Sequence, residues 1–212
     1  MNILKTSVCT ACILATSIAV TCAEDLSFTD RIEQGWYIST GLSPTVMGLY
    51  PDNGDMADAI SNTFYGIEGS VEVCKAGVGS ADWLDVCGGG TGFISLGDAT
   101  KASSVAGVST NSKSSMTSFG GYVKARAHAG NFVIAPYGGV RQINLDVDVT
   151  VPAASTSVNA SEDITAAFGG AELGVNLFKE RATLALKAEA GRTISGTKGT
   201  YASVGPVLRI SF

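Results

Sequence analysis

The sequence predicts an all-β fold: an eight-stranded antiparallel transmembrane β-barrel with long extracellular loops and short periplasmic turns. Three observations carry this expectation. Beyond residue 23 no run of 18 or more apolar residues exists, so no membrane helix is expected. Apolar residues instead recur with a period of two, as strands with one greasy face require. The connections between the alternating segments switch between long and short along the chain. Composition agrees: 16% of the 212 residues are charged, against ~25% in ordinary soluble domains. With 45% hydrophobic residues the chain has enough apolar surface to escape disorder, and its 26 glycines keep no collagen period. A net charge of -5 gives a polyanionic backbone nothing to bind, so nucleic acid is not an expected partner.

Met1–Ala23 opens with Lys5, runs apolar from Thr6 to Cys22 and ends in Thr21-Cys22-Ala23 before Glu24-Asp25. That is the pattern of a cleaved secretory signal, with the cut after Ala23 and a barrel domain over 24–212. Lipidation at Cys22 fits less well because of Thr21, and a buried first helix would need an amphipathic pattern. Alternating segments follow at 35–47, 60–74, 83–97, 115–128, 131–147, 163–177, 182–194 and 200–212. Residues 48–59, 98–114 and 148–162, rich in Ser, Thr, Ala, Asn and Asp, read as the long loops. Residues 75–82, 129–130 and 178–181 read as short turns, and 195–199 is short as well.

With the apolar face of each strand pointing outward, the charges inside the strands fall on the other face. The inward set holds the acids Glu68, Glu72, Asp85, Glu172 and Glu189 and the bases Lys124, Arg126, Arg141, Lys187 and Arg209. An eight-stranded barrel is just wide enough for side chains to fill, so these charges are expected to pair in a plugged, salt-bridged core rather than line an ion pathway. Arg126, Arg141, Glu172 and Lys187 are expected to meet across the interior, with Arg209 in a wetter place near the C-terminal end. After Arg141 the apolar residues Ile143, Leu145 and Val147 take the inward parity, which a bulge or an extension beyond the bilayer would explain.

Three cysteines leave with the signal. Cys74 ends the second segment and Cys87 starts the third, both on the inward parity, so a disulfide is expected between them, against a free buried pair. The single histidine, His128, lies inward beside the turn at Gly130, with no Ser two residues away. Acid–base or nucleophilic chemistry therefore has no constellation, and no enzyme is expected. No cofactor or metal is expected either: His128 lacks ligands at zinc spacing, and Pro51–Asp58 lacks the spacing and closing Glu of a calcium loop. Gly88-Gly89-Gly90-Thr91-Gly92 has no helix after it and marks a bend or close packing rather than a phosphate loop. Trp36 and Trp83 suit an interfacial aromatic belt.

The last segment, with Tyr201, Leu208 and Ile210 in phase and Phe212 at its end, resembles the signal read by the barrel-assembly machinery. The chain as a whole resembles small Gram-negative outer-membrane barrels of the OmpA-like and opacity type. Gly35-Trp36-Tyr37-Ile38-Ser39 followed by Gly41-Leu42-Ser43-Pro44 is similar to the opening strand of the surface antigens of Anaplasma- and Ehrlichia-type bacteria. These resemblances imply a monomeric, multi-pass protein of the outer membrane, with membrane lipid and the assembly machinery as partners. They also imply a role in adhesion, host interaction or as a surface antigen, played by loops 48–59, 98–114 and 148–162. The alternative is a small porin for ions or small solutes.

Overall fold

The computed structural model describes residues 35–52, 61–78, 81, 83–105, 108–178 and 181–212. The expected signal, 1–23, and residues 53–60 of the first expected loop lie outside the described residues. Among the described residues nine strands form one antiparallel sheet: β1 (Trp36–Pro51), β2 (Thr63–Lys75), β3 (Leu84–Ser95), β4 (Ala99–Val105), β5 (Val108–Ala129), β6 (Phe132–Val151), β7 (Thr156–Leu177), β8 (Ala182–Ser195) and β9 (Gly199–Ser211). β3 and β4 lie end to end along one neighbour, β3 against 117–127 of β5 and β4 against 108–114. They make a single stave, interrupted at 96–98, where Gly97 adopts a φ of +84° that L side chains rarely take. The order β3-β2-β1-β9-β8-β7-β6-β5 closes through the β3–β5 pairing, giving the eight-stranded barrel that the sequence predicts.

Trp36 and Phe212 mark the lower end; the 3-10 turn Pro152–Ala154 between β6 and β7 marks the upper end. The upper end departs from expectation. Within 98–114 and 148–162, residues 99–105, 108–114, 148–151 and 156–162 are not loop but paired strand. Ala99↔Ser114 through Val105↔Val108 make one hairpin, and Val151↔Thr156 starts another. Serine and threonine on both faces hide these strands from an apolar-alternation reading.

The polarity of the barrel inverts partway up. On β6 the outward residues Phe132, Ile134, Pro136 and Val140 give way to Gln142, Asn144, Asp146 and Asp148. The inward residues change the other way, from Arg141 to Ile143, Leu145 and Val147. Pairing on both sides of β6 runs one-to-one through this stretch, so no bulge is present; the strand has left the apolar band and continues above it. Below the change the wall is built for lipid: Leu42, Tyr65, Val123, Leu173, Leu186 and Leu208 all stand exposed on the outside. Trp36, Trp83, Phe132 and Phe178 ring the lower edge, each more than half exposed, as an aromatic girdle at a membrane interface does.

Candidate functional site

Strand β2 orders the interior from bottom to top through its inward residues Cys74, Glu72, Ser70, Glu68, Gly66 and Phe64. A disulfide layer, two ion-pair layers and an apolar layer follow one another. At the bottom, Cys74 and Cys87 stand directly opposite in the β2–β3 register and are bridged, with Cα atoms 4.0 Å apart. A carboxylate oxygen of Glu72 lies within 4.8 Å of both sulfurs, but the bridge commits them and leaves no thiolate for a metal.

Beside the disulfide a polar relay crosses the barrel. Thr183 donates to Asn176 Oδ1 at 2.9 Å, which leaves the Asn176 amide nitrogen as donor to His128 Nδ1 at 3.1 Å. His128 Nε2 then faces Asp85 Oδ2 at 3.0 Å, the arrangement of the Nε2–H tautomer. Tyr37 donates to the same Asp85 oxygen at 2.5 Å and accepts from Arg126 Nη1 at 2.9 Å. The ring nitrogens of His128 are thus engaged by an acid and an amide.

Above the relay, Glu72 is the hub of the first ion-pair layer. It takes Lys124 at 2.5 Å, Arg126 at 2.9 Å, Arg209 at 2.9 Å and the Tyr122 hydroxyl at 2.6 Å. Glu172 shares two of those cations, Lys124 at 2.8 Å and Arg209 through a second short contact. The next layer pairs Glu68 with Lys187 at 2.5 Å and Arg141 at 3.5 Å, and Arg141 with Glu189 at 3.1 Å. Thr91 donates to Glu68, while Tyr137 and Tyr201 donate to Glu189. Gly89 makes room for this packing, since a Cβ there would sit 2.5 Å from the Val71 carbonyl and 2.9 Å from Glu72 Cγ. Of the glycine run, Gly89 thus serves close packing, while Gly88 faces open space.

All ten expected interior charges lie inside and buried, but their grouping differs from expectation. Arg126 and Glu172 belong to the Glu72 group, Arg141 and Lys187 to the Glu68–Glu189 group, so the four do not converge. Arg209 is not wetter: it is 3% exposed and bridges two glutamates, because β9 lies between β1 and β8 and its odd positions point to the barrel axis. Tyr201 shares that inward parity, so it is out of phase with Leu208 and Ile210, which face outward. Sequence reasoning did not single out Tyr37, Asn176 and Thr183. Their inward parity is readable, but uncharged polar residues do not stand out on a face that already holds charges.

The top layer is apolar: Met47, Phe64, Phe93, Met116, Ile143, Leu145, Ile164 and Phe168 pack as one buried cluster. The cavity among the ion pairs beneath measures about 10 Å³, room for roughly one water molecule. The interior is filled from wall to wall among the described residues.

No family model and no curated protein matches the chain. Solved structures do. A major outer membrane protein from Thermus thermophilus superposes with a TM-score of 0.51 at 12% identity, covering 84% of this chain and 99% of that one. Ail, the attachment invasion locus protein of Yersinia pestis, gives 0.46 at 9% identity, covering 84% and 97%. Neisserial surface protein A gives 0.41 at 9% identity, with the same coverage. The first of these likenesses bears on the fold. With the lipid-ready wall, it defines the chain as a β-barrel of the outer-membrane type.

Proposed function

We propose that this chain is a non-enzymatic surface barrel of a Gram-negative outer membrane, exported by the signal in 1–23 and facing the environment with its upper end. In this reading the β4–β5 and β6–β7 hairpins, standing above the apolar band, contact a host or environmental surface as adhesin or antigen. The observation that carries the reading is the closed interior: an apolar plug over two layers of paired charge, with a cavity of about 10 Å³ among the ion pairs. Such an interior suits a scaffold that displays its rim and offers no path to a hydrated ion. The likeness of Gly35–Pro44 to the opening strand of Anaplasma- and Ehrlichia-type surface antigens supports the same role. Leu208, Ile210 and Phe212 are proposed as the outward features met by the assembly machinery, and lipid as the constant partner of the wall. The test is planar-bilayer recording of the refolded barrel together with binding of intact expressing cells to host-surface preparations. Silent bilayers and binding that is lost when residues 152–155 are replaced by a glycine linker are expected. Steady nanosiemens openings would restore the porin reading.

A further inference from the structure

The first and last strands meet in a ladder with a hole in it. β1 and β9 pair from Ser39↔Ser211 to Leu42↔Leu208 and again from Val46↔Val204 to Pro51↔Gly199, but not between. Continuing the register places Pro44 directly opposite Pro206. Direction matters here. Ile38 and Phe212 exchange both of their backbone hydrogen bonds across this seam, whereas Leu49 donates to Asn62 on the β2 side and Ser211 to Arg181 beside β8. Even-numbered residues of both strands therefore bond across the β1–β9 seam, and odd ones bond away from it. Pro44 and Pro206 are both even. At the one position where two N–H groups should cross the seam, both are missing.

This gap lies in the lipid-facing wall. Pro44 and Pro206 are exposed on the outside, and their other neighbours in the row are Ile67 on β2 and Leu186 on β8, both outward and apolar. No water reaches such a row to replace the lost donors. The Pro44 carbonyl accepts from the Ser43 hydroxyl at 3.3 Å, and Gly205 presses against it so closely that a Cβ on Gly205 would overlap that oxygen. Pro136 removes one donor from the β5–β6 ladder, opposite Ala125, but those strands are joined just below by the turn at 130–131. β1 and β9 have no turn between them.

We propose that the β1–β9 seam is the barrel's built-in opening. The proline pair uncouples its lower segment, Ile38–Leu42 against Leu208–Phe212, from the upper one, so the lower segment unzips within the membrane while the other ladders stay shut. Opening presents two unpaired strand edges to the bilayer, beside the buried Arg209 and Ser43.

Hydrogen–deuterium exchange of the refolded barrel in detergent micelles tests this without any variant. After correction for intrinsic rates, the amides of Ile38, Thr40, Leu42, Leu208, Ile210 and Phe212 should exchange at least tenfold faster than those of Val133, Ala135, Tyr137, Gly170, Glu172 and Gly174 in the β6–β7 ladder. The Pro44→Val/Pro206→Val barrel, with both donors restored at apolar outward sites, should slow the seam amides at least tenfold and leave the β6–β7 amides unchanged. Equal protection of the two ladders in the native chain overturns the proposal. So does a folded double-valine variant with unaltered seam exchange.

Discussion

Glu72→Gln removes one charge from the most connected point of the interior. Glu72 is 0% exposed and answers three cations, Lys124, Arg126 and Arg209. With the glutamate neutralised, those three are left with Glu172, while Arg126 keeps its indirect link through Tyr37 to Asp85. The group goes from one surplus positive charge to two in a place without solvent. Breaking a buried pair by removing one partner costs about 3–5 kcal/mol. At roughly 2–4 °C per kcal/mol for a chain of this size, the unfolding midpoint should fall by about 6–20 °C. The assay is the loss of the fast-migrating folded band on a cold denaturing gel after heating in detergent, with Val123→Ala on the lipid face as control. Removing a cation as well, as Glu72→Gln/Lys124→Met, should recover about half of the loss by restoring the balance of charge. A midpoint shift under about 2 °C for Glu72→Gln would refute the hub, as would a double variant less stable than the single one.

Arg209→Met and Glu172→Gln should each cost about 3–5 kcal/mol, the first by taking a cation from two glutamates that keep Lys124, the second by taking an acid from Lys124 and Arg209; urea titration of each variant in the same detergent checks this. Replacing Cys74 and Cys87 together by Ser opens a link across 13 residues, and the urea midpoint should fall by the equivalent of about 3 kcal/mol. Gly139→Ala should prevent refolding in most of the chain, since its Cβ would overlap the Gly121 carbonyl, whereas Gly88→Ala, with nothing within 4 Å, should refold like the native chain on the same gel.

How far the sequence reaches depends on what a period of two can encode. Parity says which face a residue occupies, so the strand wall and the inward placement of Glu68, Glu72, Arg141 and Lys187 are legible. Parity does not encode height or angle around the axis, and pairing depends on both. Arg209 meets Glu72 and Glu172 because closure puts β9 beside β1, a contact between residues 137 apart in the chain that no local pattern displays. Length is the second weakness. Strand β7 runs from Thr156, but Thr-Ser-Val-Asn-Ala-Ser carries no apolar face, since above the membrane both of its sides meet water. The apparent phase slip at Ile143 has the same origin: the solvent changed outside the barrel while the strand stayed in register.

The unequal staves give the molecule a front and a back. β8 stops at Ser195, opposite Thr165, while β7 continues to Thr156, so 156–164 have no strand partner on that side. At ~3.3 Å per residue and a tilt near 40°, they climb roughly 20 Å past the end of β8. β4 ends the same parapet on its far side, paired only with β5. Among the described residues, a screen of four strands therefore rises over about half the circumference, above the ends of β8 and β9. Anything large that approaches the cell surface along the membrane plane meets this barrel differently according to its compass bearing.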